Sequence, residues 1–139
     1  MVNVEVTKEM YTVELLRNNP DKIFVFGDNS VRKGKKGQAV VRDEPNAYGI
    51  ATKTYPSLRY DAFFSDKDEE FKLVEEDLLE LLRKAKAPNA PTVVFPYWGI
   101  GTGLANMKSR SPKLWEHLCS LLKEYFDFEN NPYVKQNQS

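Results

Sequence analysis

The chain has 139 residues, 41% apolar and 29% charged, with 20 Lys plus Arg against 20 Asp plus Glu. That length suits one domain with a sizeable core, and zero net charge argues against non-specific binding to nucleic acid or a membrane surface. The single cysteine, Cys119, rules out an internal disulfide; the opening MVNVEVTKEM lacks the basic-then-apolar layout of a secretory leader, and no apolar run approaches bilayer length, so a cytoplasmic protein is expected.

Val2, Val4 and Val6 alternate with polar residues, the period of a half-buried strand near a sheet edge. From Glu9 to Asn18, Met10, Val13, Leu15 and Leu16 recur at roughly helical spacing until Asn19-Pro20-Asp21 stops the pattern. Ile23 to Phe26 is uninterrupted apolar chain, as in a strand covered on both faces. A helical turn is expected over Gln38 to Arg42 and a strand over Ala47 to Tyr55. The clearest helix runs from Ser65 to Lys86. Ser65 is placed to cap it, acids fill its first turns, and Phe71, Val74, Leu78, Leu81 and Leu82 line one face. After the break at Ala87-Pro88-Asn89-Ala90-Pro91, Thr92 to Pro96 reads as a second buried strand, and Leu114 to Phe126 as a closing amphipathic helix. Residues 1–129 make one domain and residues 130–139 a polar tail. Strands alternating with helices predict an α/β domain with helices on both faces of the sheet.

Chemistry concentrates beyond the two most apolar strands. Phe26 is followed by Gly27-Asp28-Asn29-Ser30 and then by Gly34-Lys35-Lys36-Gly37-Gln38; Pro96 is followed by Tyr97-Trp98-Gly99-Ile100-Gly101-Thr102-Gly103-Leu104. Open α/β sheets bind ligands beyond the carboxyl ends of their strands, and glycine lets backbone N–H groups approach phosphate oxygens. Either loop alone reads as a turn; together, after neighbouring strands, they suggest a clamp for a diphosphate.

These segments resemble the macro-domain family. FVFGDNSVRKGKKGQAVV resembles the stretch where a strand ends in asparagine and enters a glycine-rich loop and helix. VVFPYWGIGTGLANMKSRSPKLWEHLCSLLKEYF resembles the later stretch, where Phe-Pro leads into a Gly-x-Gly-x-Gly phosphate loop, and AYGIATKTYPS fits a connecting strand. The resemblance implies a three-layer α/β/α fold with a mixed central sheet that binds ADP-ribose or a related ADP-ribosyl nucleotide. The implied activity is that of an ADP-ribose-1''-phosphate phosphatase or a mono-ADP-ribosyl hydrolase, and the alternative is a non-catalytic reader or sponge of such a nucleotide. Implied partners are the nucleotide and an ADP-ribosylated protein; no cofactor, metal, membrane or nucleic acid is expected.

By position, Asn29 matches the asparagine directed at the distal ribose. Gly34 and Gly37, with Gly27, Ser30 and Gln38 alongside, match the first loop; Gly99, Ile100, Gly101, Thr102, Gly103 and Leu104 match the loop that wraps the phosphates. The chain departs from the family in reading Gly-Lys-Lys-Gly in the first loop, where Lys35 or Lys36 would add charge toward a phosphate or would simply be solvated. The aspartate that holds adenine is missing, with Glu5 as the one stand-in, and no acid follows Gly37. Asp28 is the nearest carboxylate and a candidate general base, although aspartate at a strand end equally caps a turn. Asp43 and Glu44 face the site or form a solvated turn. Thr102 offers a hydroxyl to phosphate or stabilises its turn; Tyr97 and Trp98 flank the ribose or pack the loop. His117 and Cys119 read as packing residues, since neither has the companions of a metal set or a nucleophile.

Overall fold

The computed structural model describes residues 2–102 and 105–126. Four strands, β1 (Val4–Thr7), β2 (Lys22–Asn29), β3 (Ala47–Lys53) and β4 (Thr92–Pro96), form one sheet in the order β1-β4-β2-β3. All three strand pairs are parallel. The mixed character expected of the sheet is confined to one antiparallel bridge, Lys53 to Phe63. The reason is topological: each connection between strands carries a crossover segment, which returns the chain to the same end of the sheet.

The two continuous apolar runs are the two central strands. Side chains alternate across the sheet, so each run serves two cores. Phe24 and Phe26 of β2 and Val94 of β4 meet Leu16 of α1 (Val13–Arg17), Tyr11, and Val41 of a 3-10 helix (Gly37–Val41). Val25, Val93 and Phe95 face the other way. They pack on Val74, Leu78 and Leu81 of α2 (Asp68–Ala85) and on Leu114, Leu118 and Leu122 of α4 (Pro112–Phe126). The fold is therefore a three-layer α/β/α arrangement with α2 and α4 on one face and α1 on the other.

Boundaries differ from the sequence reading where a cap decides them. Helix α1 starts late because Thr12 caps it, its Oγ1 accepting the Leu15 N–H at 3.0 Å; Met10 lies outside it and is 84% exposed. Ser65 does not cap α2. Glu70 reaches back instead, its Oε1 accepting the N–H of Ser65 at 2.8 Å and of Lys67 at 3.0 Å. A short helix not anticipated from sequence, α3 (Met107–Arg110), precedes α4. Pro112 opens α4, where its missing N–H costs nothing, and Asp66 accepts the Leu114 N–H at 2.9 Å. The polar tail lies outside the described residues.

Candidate functional site

The carboxyl end of β2 meets the loop after β4 at Gly27, whereas the expected first glycine loop does not: a Cβ on Gly34 would approach only Pro56, and one on Gly37 would have nothing within 4 Å. A Cβ placed on Gly27 would lie 3.6 Å from the Gly101 nitrogen and 3.8 Å from the Ile100 Cβ. The two glycines keep their lack of a side chain for different reasons. Gly101 has φ +74°, and a Cβ there would strike the Met107 Sδ at 2.4 Å, so the protein itself demands glycine. Gly27 meets nothing nearer than ordinary van der Waals contact, so its own fold leaves room for a methyl group in front of the Gly101 amide.

Exposed apolar side chains gather at the same end of the sheet. Met10 follows β1, Val31 follows β2, Leu58 and Tyr60 follow β3, and Tyr97 and Trp98 follow β4. Open α/β sheets commonly place ligand sites at this end of their strands.

The loop after β2 is held by an ionic network that composition did not disclose. Asp28 is buried, and Arg42 grips it with two bonds, Nη2 to Oδ1 at 2.6 Å and Nη1 to Oδ2 at 2.9 Å. Arg32 adds a longer contact to Oδ2 at 3.5 Å, and the Asn29 N–H donates to Oδ1 at 2.8 Å. A general base needs a lone pair free for the proton it takes. Asp28 directs both oxygens to arginines and backbone, which makes it the anchor of the loop rather than a base. Arg42 completes the anchoring by donating to the Gly34 carbonyl at 2.8 Å and the Lys33 carbonyl at 3.0 Å.

Asn29 is also turned into its own loop. Its Nδ2 donates to the Lys33 carbonyl at 2.8 Å and its Oδ1 accepts the Lys33 N–H at 3.3 Å. The Ser30 hydroxyl donates to the Thr54 carbonyl at 2.6 Å. Gly34, at φ +95°, and Gly37, at φ +61°, adopt the left-handed backbone that glycine favours, and Gln38 enters the 3-10 helix. Lys35 pairs with Asp43, so neither is aimed at the site, and Glu44 pairs with Arg17 at 2.9 Å. Lys36 is exposed.

The loop after β4 is a tight turn. The Gly99 N–H donates to the Pro96 carbonyl at 3.0 Å, and the Thr102 hydroxyl donates to the Trp98 carbonyl at 2.9 Å. Thr102 thus stabilises its turn. Among the described residues, the N–H groups of Ile100, Gly101 and Thr102 have no protein acceptor. Gly103 and Leu104 lie outside the described residues. Glu5 is bound to Lys22, Oε2 to Nζ at 3.0 Å, and so is drawn away from any base at the opposite end of the strands.

Arg32, Arg42 and Asp77 are the residues that sequence reasoning missed. Arg32 grips Asp77 of α2 with Nη2 at 2.7 and 2.8 Å from its two oxygens. Asp77 Oδ2 accepts the Ala51 N–H at 2.8 Å, and Arg32 Nη1 donates to the Gly49 carbonyl at 3.2 Å. The ion pair thereby occupies the outer edge of β3 where a fifth strand would pair. A signal for Asp77 was present: it stands three residues from Val74 and four from Leu81, an acid on the apolar face of α2.

A groove at the amino end of the strands is lined by Lys22, Asn46, Tyr48, Arg83, Lys84 and Asn89, and several of these side chains are engaged within the protein. Tyr48 donates to the Asp77 carbonyl at 2.6 Å, Asn46 Nδ2 donates to the Leu16 and Asn19 carbonyls, and Arg83 pairs with Glu80. His117 pairs with Glu75 at 2.7 Å. Burial pushes the Cys119 thiol up to about 12, the state of a packing residue. Among the described residues no group of three His, Cys, Asp or Glu side chains is placed to hold a metal, and no helix is long and apolar enough to cross a membrane.

A family of unknown function, DUF7831, matches residues 6–121, a span that includes both glycine loops and the four strands from Val6 onward. The chain belongs to that family. No curated protein and no solved structure matches it. The family's boundaries enclose the Asp28–Arg42–Arg32–Asp77 network and the β4 turn, so every residue of the candidate site described above falls within the matched span.

Proposed function

We propose that this protein binds an ADP-ribose-type nucleotide at the carboxyl ends of β2 and β4, with the diphosphate lying over the junction of Gly27 and the Ile100–Thr102 backbone. The apposition of Gly27 and Gly101 carries the reading. A Cβ on Gly27 would stand 3.6 Å from the Gly101 nitrogen, in ordinary van der Waals contact, so the two backbones run side by side with no side chain between them. Backbone N–H groups without internal acceptors at such a junction suit anionic oxygens.

Binding ranks ahead of hydrolysis. Asp28 and Asn29, the two residues nearest the site with catalytic potential, have their polar atoms engaged within the β2 loop. A reader or sponge of an ADP-ribosyl nucleotide, free or attached to a protein, needs only the cradle. Calorimetry with ADP-ribose tests the binding, and incubation with ADP-ribose-1''-phosphate and with an ADP-ribosylated protein tests turnover. Binding without product over hours is the expected result; no heat with ADP-ribose rejects the proposal, and turnover restores the enzymatic reading.

The decisive variant is Gly27→Ala. Its methyl group fits the fold, so thermal stability stays within about 0.5 kcal/mol of the parent, while the methyl covers the Gly101 amide and ADP-ribose binding is lost. Unchanged affinity in a folded Gly27→Ala protein places the ligand elsewhere.

A further inference from the structure

We infer that Trp98, supported by Tyr97, is the platform on which the base of the bound nucleotide stacks. The inference rests on the nucleotide reading above and supplies what that reading lacks, a residue that recognises the base. Trp98 is 62% exposed and Tyr97 42%, whereas the other tryptophan, Trp115, is 2% exposed. An indole in water is unusual in a protein with room for one in its core. Here the backbone beneath it is fixed. Tyr97 and Trp98 are the central residues of the turn closed by the Gly99 N–H on the Pro96 carbonyl; the Tyr97 N–H donates to the Thr7 carbonyl of β1 at 2.8 Å, and Thr102 holds the Trp98 carbonyl. The rings meet edge to face, centroids 5.0 Å apart at 89°. A flat aromatic face is thus held in place before any ligand arrives, which limits the ordering cost of stacking on it.

The same turn runs directly into the amides of Ile100, Gly101 and Thr102. A ligand that joins a planar ring to a diphosphate matches this succession of an aromatic face and then unpaired donors. Lys8 Nζ sits 4.6 Å from the centre of the Tyr97 ring and adds positive charge at that edge. Glu5, held by Lys22, is in no position to take the base instead.

The test compares ADP-ribose with ribose 5-diphosphate, which keeps a ribose and a diphosphate but has no base, by calorimetry on the full chain. Trp98→Ala is expected to weaken ADP-ribose binding roughly 10- to 100-fold, the range of one lost base stack, and to leave ribose 5-diphosphate binding unchanged; Trp98→Phe is expected to recover most of the loss. Equal weakening of both ligands shows that Trp98 only shapes the loop and overturns the inference, as does an unchanged affinity for ADP-ribose. Fluorescence gives a second readout. Iodide quenches only the exposed indole, since Trp115 is buried, and saturating ADP-ribose is expected to shield it. Heat of ADP-ribose binding with undiminished iodide access sinks the stacking platform while the nucleotide reading stands. Absence of any ADP-ribose binding by the parent protein sinks both.

Discussion

Gly27, near the end of β2, and Gly101, in the loop after β4, show how two neighbouring glycines do different work. At Gly101 a side chain would need positive φ and the space of the Met107 sulfur. Gly101→Ala is therefore expected to lose about 1–3 kcal/mol of stability, read as a lower midpoint in urea, whereas Gly27→Ala is expected to change binding alone. Thr102 belongs to the same turn. Its hydroxyl hydrogen bond to the Trp98 carbonyl is exposed, so Thr102→Val is expected to lose only about 0.5–1.5 kcal/mol. Cys119 is sealed in the α4 face of the core; a thiol-specific reagent is expected to react with it only at the rate of unfolding.

At the scale of elements, β3 poses the question of how a parallel edge strand avoids pairing with another chain. Charged side chains are a common guard. Here the guard is specific, because Arg32 and Asp77 hydrogen-bond the Gly49 carbonyl and the Ala51 N–H that a further strand would use. Tyr48 ties α2 to the same strand through the Asp77 carbonyl. Removing the Asp77 carboxylate leaves a part-buried guanidinium with only the Gly49 carbonyl and the longer Asp28 contact, and the buried Ala51 N–H without its acceptor. Asp77→Ala is expected to lose roughly 2–4 kcal/mol and to open the β3 edge, giving dimers or larger species by size-exclusion chromatography; a monomer of parental stability contradicts this account. Asp28 plays the corresponding part for the loop after β2, with side-chain exposure of 3% against 14% for Arg42. Asp28→Asn is expected to destabilise the fold along with any loss of ligand binding, which a purely catalytic aspartate would not do.

For the whole molecule, the two cores on opposite sheet faces make stability depend on pH at the alkaline end. Burial raises Cys119 from 9.0 to about 12 and lifts Tyr11 well above its ordinary 10.0. Tyr48 is raised by burial and then by the neighbouring Asp77 and Glu80 charges. Above pH 9 the unfolded chain therefore loses protons that the folded chain keeps, so the unfolded state binds fewer protons and stability falls as pH rises. Thermal midpoints are expected to drop between pH 9 and 12, with Cys119→Ala flattening the onset of that drop. Tyr11 links the two layers directly, since its hydroxyl donates to the Val25 carbonyl at 2.8 Å while its ring packs edge-on against Phe24.

The four strands, the helices α1, α2 and α4, the choice of β2 and β4 as central strands and the position of both glycine loops beyond them were legible in the sequence alone; the short α3 was not. Apolar run length, helical spacing and glycine placement are properties of neighbouring residues, and a strand apolar on both faces has to lie inside a covered sheet. What only the tertiary structure decided is which polar groups remain for a ligand. Asp28, Asn29, Lys35 and Thr102 all looked available until folding gave them internal partners. Those partners include Arg42, fourteen residues from Asp28 in the chain, and the linked pair Arg32–Asp77, whose members are 45 residues apart. A hydrogen-bonding group has finite capacity, and the competitors for it are set by the folded path of the chain rather than by its local order.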